Sequence, residues 1–283
     1  MSSPPPATPP RYGLIAGNGR FPFLVLDAAR SRGIEMVVAA IKEETEPTIT
    51  AHAHSVHWLS LGQLGKLIDV FRAEGITRAV MAGQVKHKQI FSAIRPDWKM
   101  VKVLASLVSK NTDSLIGAVV RTLEEEGIHL ESSTTFLEPL LAPLGAFSRR
   151  AATETEAADI EYGVQVARHL AGMDIGQAVV IADRACVAVE AMEGTDAMIR
   201  RAATLVQGRP LTVVKVAKPN QDLRFDVPVV GPATIATMRE CGATALAVES
   251  GITLLLDRPT LVASADAAGI ALVGVARPLL PPS

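Results

Sequence analysis

The densest group of chemically competent side chains lies between Lys215 and Asp226. These twelve residues leave an apolar run and contain two lysines, an arginine and two aspartates around a Pro-Asn turn. Two carboxylates four residues apart, Asp222 and Asp226, offer the oxygen ligands that Mg²⁺ or Mn²⁺ prefers, and cations beside them suit phosphate oxygens. This combination predicts phosphoryl transfer or pyrophosphate hydrolysis, with a surface salt-bridge cluster as the alternative. The candidate phosphate-binding residues are Lys215, Lys218, Gln221 and Arg224.

A second polar group lies where another apolar run gives way to a helical pattern. Glu193, Thr195 and Asp196 follow the run that ends near Ala191, and Arg200 lies in the first turns of the helix. Ligand sites of α/β proteins form at such strand-to-helix edges. The alternative is that Thr195 or Asp196 only caps the helix, because both residue types accept hydrogen bonds from first-turn N–H groups.

A glycine turn near the N-terminus is a third candidate site. Gly17-x-Gly19-x-x-Pro22 stands between a strand and a helix, where N–H groups and the helix dipole favour a phosphate. It resembles the dinucleotide-binding fingerprint, but Pro22 replaces the third glycine, and the alternative is a tight turn that needs positive φ. Gly83-Gln84 follows a later strand and is expected at the same sheet edge. The candidate binding residues here are Gly17, Asn18, Gly19, Arg20, Phe21, Pro22, Gly83 and Gln84.

Two α/β domains are predicted to position these groups. Strands and helices alternate from Tyr12 to Ala82, which indicates parallel βαβ units and a Rossmann-like N-terminal domain over residues 11–137. A Pro-rich tail, residues 1–10, precedes it. Two prolines and a glycine mark residues 138–150 as a linker, and residues 151–283 form the C-terminal α/β catalytic domain. The active site is expected in a cleft between the two domains.

Within the second domain, individual elements can be predicted. Apolar runs flank Asp183-Arg184, which indicates a hairpin. Helical periodicity predicts a helix over Thr195–Leu205, and a continuous apolar run predicts a strand over Leu211–Val216.

Composition excludes several classes of protein. The 283 residues include 28 Lys and Arg against 29 Asp and Glu, a balance that argues against a nucleic-acid binder. Hydrophobic residues make up 48% of the chain and charged residues 20%, so disorder as the main state is excluded. No apolar run reaches the length of about 20 residues that a membrane-spanning helix requires. With only Cys186 and Cys241 and no signal-peptide pattern, we expect a cytoplasmic protein.

Five segments together resemble the LpxI family, bacterial UDP-2,3-diacylglucosamine pyrophosphatases of lipid A biosynthesis. The segments are Gly13–Pro22, Gly83–Val85, Asp174–Ile181, Ala188–Arg201 and Val214–Gly231. The resemblance covers nearly the whole chain after the tail, and the runs EGTDAMIRR and KPNQDLRFDVP are its most specific parts. The run Lys110-Asn-Thr-Asp113-Ser departs from the Gly-Asp-Asp-like run expected there, so Asp113 is assigned no role.

The resemblance implies a Mg²⁺-dependent hydrolase, with Mn²⁺ as the alternative ion. It would cleave UDP-2,3-diacylglucosamine to 2,3-diacylglucosamine 1-phosphate (lipid X) and UMP by attack of water on phosphorus. Asp226 and Asp222 would be the catalytic and metal-binding carboxylates, and Glu193 a supporting catalytic carboxylate. The residues that would hold the substrate in the second domain are Thr195, Asp196, Arg200, Lys215, Lys218, Gln221 and Arg224.

The implied substrate is a small lipid-linked sugar nucleotide. Because it carries two acyl chains, the resemblance implies a cytoplasmic enzyme in peripheral contact with the inner membrane and no nucleic-acid partner. Both a monomer and a homodimer remain open.

Two other functions are compatible with parts of the sequence. The βαβ pattern with GxGxxP favours an NAD(P)-dependent oxidoreductase, but this function gives no reason for the charges between Lys215 and Asp226. A non-catalytic carrier or sensor of an acylated sugar nucleotide would use the same residues without turnover.

Overall fold

The computed structural model describes residues 9–85, 96–107 and 112–277, without the side chain of Asp113. Most of the Pro-rich tail and the run around Lys110 therefore lie outside the described residues. The chain divides into two compact units. Unit 1 comprises the residues up to Leu137 together with Leu223–Phe225, and unit 2 comprises the rest.

Unit 1 contains a parallel sheet whose spatial order is β3-β2-β1-β4-β5. Its strands are β1 (Arg11–Ala16), β2 (Glu35–Ile41), β3 (Ser55–Leu59), β4 (Arg78–Ala82) and β5 (His129–Leu130). Its helices are α1 (Phe21–Ser31), α2 (Leu64–Ala73), α3 (Trp98–Ser106) and α4 (Thr112–Glu125). The strand order reverses beside β1, as in doubly wound nucleotide-binding folds, so the predicted Rossmann-like arrangement is confirmed.

The apolar pattern explains why these segments form a buried sheet. The five central residues of β2 are all buried, as expected for a parallel strand covered on both faces. Helix α1 buries Phe23, Val25, Leu26 and Ala29, and Pro22 fits its first turn, where the missing N–H has no intrahelical partner to lose.

Three residues that come much later in the chain complete unit 1. The backbone N of Ser133 donates to the carbonyl of Leu223 at 2.8 Å, and the Ser133 hydroxyl donates to the carbonyl of Arg224 at 2.9 Å. The Arg224 guanidinium pairs with Glu124 at 2.6 Å, and Phe225 packs against the apolar core. The N-terminal unit is therefore not a continuous stretch of sequence.

Unit 2 contains a mixed six-stranded sheet in the order β6-β13-β11-β9-β7-β8. The strands of this sheet are β6 (Gly145–Ala146), β7 (Ala178–Ala182), β8 (Ala185–Val189), β9 (Leu211–Lys215), β11 (Ala243–Glu249) and β13 (Ala271–Val275). Two further short strands, β10 (Val229–Val230) and β12 (Leu254–Leu255), pair with each other. The helices are α5 (Glu154–Gly172), α6 (Thr195–Leu205), α7 (Pro232–Glu240) and α8 (Arg258–Ala268).

Local sequence accounts for several of these elements. Strands β7 and β8 form the predicted antiparallel hairpin, and both turn residues, Asp183 and Arg184, adopt positive φ as a type I′ turn requires. Helix α5 begins with a capping box formed by Thr153 and Glu156. The predicted linker segment, residues 138–150, contains strand β6, which pairs with β13.

The length and composition of the helices bear on membrane insertion. Across the described part of the chain, none combines the length and the apolar composition needed to cross a bilayer.

Candidate active site

The carboxyl ends of β8 and β9 lie at the same edge of the unit 2 sheet. Strand β7 runs antiparallel to both, and its first residue, Ala178, pairs with Lys215 at the end of β9. On the other side, the carbonyl of Ala178 accepts a hydrogen bond from the backbone N of Glu190 at 2.8 Å. Helix α6 begins nearby at Thr195, so Glu190, Thr195 and Lys215 are brought to one place.

These three side chains, called the Lys215 group below, form a buried chain of contacts. Lys215 is 9% exposed, and its Nζ donates to Thr195 Oγ1 at 3.1 Å and to the carbonyl of Val229 at 3.1 Å. The Thr195 hydroxyl donates to Glu190 Oε1 at 2.7 Å. Glu190 is 8% exposed, and within the described part of the chain its Oε2 is buried without a hydrogen-bond partner.

Opposing effects act on the charge of Lys215. Burial lowers the pKa of its ammonium group, while the carboxylates of Glu190, Asp196 and Asp226 raise that pKa. Three carboxylates thus act electrostatically on this one buried ammonium. A lysine ammonium beside a hydroxyl is a group of the kind that binds phosphate oxygens.

Helix α6 presents two side chains that make tertiary contacts. Its N-cap residue is Gly194, at φ +83°, and no side chain caps the helix from that position. Thr195 instead donates to Glu190, and Asp196 Oδ1 accepts a hydrogen bond from the Thr234 hydroxyl at 2.9 Å. Helix capping therefore does not account for Thr195 and Asp196.

A buried carboxylate accepts a hydrogen bond from the loop that follows β9 and holds the start of that loop in place. Glu249, at the end of β11, is 2% exposed and accepts hydrogen bonds from the backbone N of Ala217 at 3.1 Å and from Arg168 at 3.1 Å. Further along the loop, the backbone N of Asp226 donates to the carbonyl of Asp222 at 2.9 Å. That bond closes one turn and brings the two aspartates close along the backbone.

In unit 1 the two glycine turns pair with each other. The backbone N of Asn18 donates to the carbonyl of Gln84 at 2.8 Å, and the N of Gln84 donates back at 3.1 Å. A Cβ on Gly17 would lie 2.7 Å from the Gln84 carbonyl oxygen, and a Cβ on Gly83 would lie 2.6 Å from that of Asn18. Both glycines are therefore needed for the close approach of the turns after β1 and β4.

Comparison with known proteins decides the family. The LpxI N-terminal domain model matches residues 11–140, and the LpxI C-terminal domain model matches residues 143–273. The chain belongs to the LpxI family. A relative from Caulobacter vibrioides, UDP-2,3-diacylglucosamine pyrophosphatase LpxI, is 33% identical over 275 residues, which cover 94% of this chain and 97% of the relative.

Solved structures resemble this LpxI chain much more distantly. CobK precorrin-6A reductase is 11% identical, with 96% of this chain and 90% of that chain covered and a TM-score of 0.31. The biotin carboxylase domain of the Hydrogenobacter thermophilus 2-oxoglutarate carboxylase is 13% identical, with coverages of 62% and 35% and a TM-score of 0.26.

Not every residue singled out from this LpxI sequence joins the Lys215 group. Glu193 accepts a hydrogen bond from the backbone N of Ala191 at 3.0 Å and pairs with Arg201 at 2.5 Å. Lys218 pairs with Asp174 at 2.7 Å, and its backbone N donates to Gln221 Oε1 at 2.8 Å.

The two predicted arginines also have partners of their own. Arg200 donates to the Thr237 hydroxyl at 3.0 Å, so it connects helices α6 and α7. Arg224 belongs to unit 1 through its pair with Glu124. Of the predicted residues in this LpxI chain, the structure thus brings together Thr195, Asp196, Lys215 and Asp226.

The implied magnesium ion requires oxygen ligands. Among the described residues, no three or more His, Cys, Asp or Glu side chains are grouped so as to hold a metal ion by themselves. Mg²⁺ at phosphate-processing sites is bound through one or two carboxylates and completed by substrate phosphates and water. Asp222 and Asp226 of this LpxI protein carry carboxylates of the chemical kind that this mode of binding uses, and a backbone hydrogen bond keeps the two residues in one turn of the loop.

Glu190 is a site residue that the sequence analysis did not identify. Glu193 was named from the same loop, although the alternation of side chains along β8 points to Glu190. Side chains alternate along a strand, so Glu190 shares a face with Ala188, which is 4% exposed. An acidic residue continuing the buried face of a strand to its carboxyl end is the pattern that identifies it.

Proposed function

We propose that this chain hydrolyses the pyrophosphate of UDP-2,3-diacylglucosamine to 2,3-diacylglucosamine 1-phosphate and UMP, in lipid A biosynthesis. The observation that carries the proposal is the similarity over 94% of the chain to the Caulobacter vibrioides pyrophosphatase. The Lys215 group adds a physical reason, because a buried ammonium beside a hydroxyl suits a phosphate oxygen. In the reaction, water oxygen forms one new bond to phosphorus, and one P–O bond of the anhydride breaks.

We assign the steps to residues as follows. Lys215 and Thr195 would bind phosphate oxygens and neutralise charge that develops as the anhydride breaks. Asp226 would accept a proton from the attacking water. Its negative charge raises the pKa of Lys215, so the carboxylate is near enough to interact electrostatically with that ammonium. Glu193, Arg200, Lys218, Gln221 and Arg224 remain proposed contributors that would have to change partners to contact the substrate.

We propose Mg²⁺ as the cofactor, with Mn²⁺ as its substitute. Asp226 and Asp222 would hold the ion together with substrate phosphates. When bound, it supplies positive charge at the phosphate oxygens and favours ionisation of water. Unit 1 would contribute the Gly17–Pro22 and Gly83–Gln84 turns as a further substrate contact, since they flank the point where the strand order reverses. Groups other than the backbone N–H groups of Gly17, Asn18 and Gln84 would make this contact, because those three donate to carbonyls of the protein.

The decisive experiment incubates the purified full-length protein with UDP-2,3-diacylglucosamine, with Mg²⁺ or with EDTA. We expect UMP release that stops when the metal is removed. Binding without release would instead identify a carrier or sensor, and release that persists in EDTA would eliminate the metal. Running the reaction in ¹⁸O-labelled water then shows which phosphorus is attacked, because the label appears in only one product.

The oxidoreductase alternative keeps one supporting observation, the Rossmann-like strand order. However, the N–H groups of Gly17 and Asn18 donate to the carbonyls of Ala82 and Gln84 at 2.8 Å, so they are engaged where a dinucleotide phosphate would need them. A change in absorbance at 340 nm with NADH and candidate substrates would revive this alternative.

We also propose that the protein works in the cytoplasm, at the inner membrane. Two acyl chains anchor the proposed substrate, because each buried CH₂ contributes about 0.8 kcal/mol to membrane partitioning. Co-sedimentation with vesicles of phosphatidylethanolamine and phosphatidylglycerol, with and without the substrate, tests this location. Protein that stays in the supernatant in both cases would contradict it.

A further inference from the structure

Glu190 carries the buried carboxylate of the Lys215 group, and one of its oxygens has no hydrogen-bond partner among the described residues. Its Oε1 accepts the Thr195 hydroxyl, but no donor among the described residues reaches its Oε2. A buried acceptor without a partner costs free energy, and native proteins retain few of them.

The contacts of Glu190 lead to the groups that suit phosphate. The Thr195 hydroxyl donates to Glu190, so its lone pairs face the ammonium of Lys215, which donates to it at 3.1 Å. This direction orients the Thr195 hydroxyl, and the Lys215 ammonium is held by that hydroxyl together with the carbonyl of Val229. Because Lys215 is 9% exposed, its neighbours rather than solvent determine where the ammonium lies.

We infer that Glu190 is a positioning residue, which acts through Thr195 to hold the hydroxyl and the Lys215 ammonium in place for a phosphate group. The inference rests on the proposed function for its reaction, but its geometry stands on the contacts of the Lys215 group alone. It adds to the site a residue that touches no substrate and is nevertheless needed for the phosphate to be held correctly.

A double-mutant cycle tests this role. Glu190→Leu, which removes the acceptor of the Thr195 hydroxyl, and Thr195→Val are made singly and together, and kcat and KM for UDP-2,3-diacylglucosamine are measured with Mg²⁺. We expect each single variant to lower kcat roughly 10- to 100-fold, since a small misplacement of a positioned group has effects of this size. Because Glu190 acts through Thr195, the double variant should be no slower than Thr195→Val. Multiplying effects, or an unchanged kcat in Glu190→Leu, would overturn the inference.

Stability measurements separate positioning from a structural role. Glu190→Gln keeps the oxygen that accepts the Thr195 hydroxyl, so we expect this conservative variant to recover most of the activity that Glu190→Leu loses. Wild-type activity per folded molecule in Glu190→Leu, together with a lowered melting temperature, would show that Glu190 only supports the fold. Thr195→Ser, which keeps the hydroxyl, should retain most of the activity. Glu161→Gln, at an exposed position of α5, is the matched control and should change neither quantity.

Binding of inorganic pyrophosphate keeps this test separate from the test of the proposed function. The same four proteins are titrated calorimetrically with pyrophosphate and Mg²⁺. If the wild-type protein binds pyrophosphate but does not hydrolyse UDP-2,3-diacylglucosamine, the proposed substrate is wrong. The double-mutant cycle, measured as changes in the Kd for pyrophosphate, then still decides the role of Glu190. If the wild-type protein does not bind pyrophosphate, the phosphate role of Thr195 and Lys215 is wrong, and the inference falls with it.

Discussion

The two edges of the unit 2 sheet both contain buried charges, but they satisfy them differently. At the amino edge, Glu156 accepts both guanidinium nitrogens of Arg150, at 2.8 and 2.9 Å. Asp159 accepts the backbone N of Arg184 at 2.6 Å and the Thr212 hydroxyl at 3.3 Å through its two oxygens. At the carboxyl edge, Glu190 leaves one oxygen without a partner among the described residues.

This difference distinguishes the two edges by how their buried charges are satisfied. The amino edge borders a cavity of about 470 Å³, and Glu156 and Asp159, which line it, accept hydrogen bonds from protein groups through their carboxylate oxygens. At the carboxyl edge, three carboxylates act on the buried ammonium of Lys215, and one of them, Glu190, has an oxygen without a partner among the described residues. Incompletely satisfied buried charge is the feature that makes the carboxyl edge the candidate active site, and the cavity lies elsewhere.

The largest effect is expected from Asp226→Ala at the carboxyl edge. Loss of the proposed base and metal ligand should lower kcat by roughly 10²- to 10⁴-fold while the protein remains folded and binds substrate. Release of UMP with Mg²⁺ present measures the effect. Asp69→Ala, at an exposed position of α2, is the control and should keep full activity. Near-normal turnover of Asp226→Ala would remove Asp226 from the mechanism and weaken the contrast between the edges.

At the amino edge, Arg150→Met should affect stability instead. It leaves the buried Glu156 without its bidentate partner, which should lower the free energy of unfolding by about 2–4 kcal/mol. Urea denaturation measures this loss, and kcat per folded molecule should not change. Arg209→Met breaks an exposed pair with Asp183 and should change stability by less than about 0.5 kcal/mol. A large loss of kcat in folded Arg150→Met would show that both edges serve catalysis.

The amino edge should also give stability a specific dependence on pH. Burial raises the pKa of Glu156, but hydrogen bonds from Arg150 and from the Thr153 backbone outweigh it and lower the pKa to about 2 from 4.5. The folded state therefore gains stability above pH 4.5 and loses it as the pH falls from 4.5 towards 2, by up to about 3 kcal/mol. Urea midpoints of the wild type and Glu156→Gln across this range measure it. Equal acid sensitivity of the two proteins would contradict the assignment.

The smallest effect is expected from Thr153→Ala, which removes the hydroxyl half of the capping box on α5. The loss should be about 1 kcal/mol of unfolding free energy, with unchanged activity. Thermal denaturation next to Thr155→Ala, a variant at an exposed first-turn position, isolates the cap. Equal melting temperatures of the two variants would show that the cap contributes nothing measurable.

Local patterns were sufficient to predict much of the fold. The hairpin at Asp183-Arg184 is confirmed because its turn chemistry is local. Helix α6 has the predicted bounds, Thr195–Leu205, and β9 ends one residue before the predicted Val216. In each case the deciding information lies within about ten neighbouring residues, as apolar periodicity and turn residues.

Contacts between distant segments could not be predicted from those local patterns. The density of charged residues identified Lys215 and Asp226 as candidate site residues. Whether Glu190 or Glu193 joins the Lys215 group depends on which of them continues the buried face of β8. Arg224 stands between two aspartates of the same loop, yet it pairs with Glu124, a hundred positions earlier in the chain. Such pairings between distant segments leave no local periodicity.

The discontinuity of unit 1 has a consequence for its synthesis on the ribosome. Ser133, which is 2% exposed, donates hydrogen bonds from its backbone N and its hydroxyl to Leu223 and Arg224. At a translation rate of about 5–20 residues per second, these acceptors are made about 4–17 seconds after Leu137. The nascent N-terminal unit must therefore persist without the last segment of its core while residues 138–222 of unit 2 are synthesised, and its completion depends on a segment encoded within the sequence of the unit that follows it.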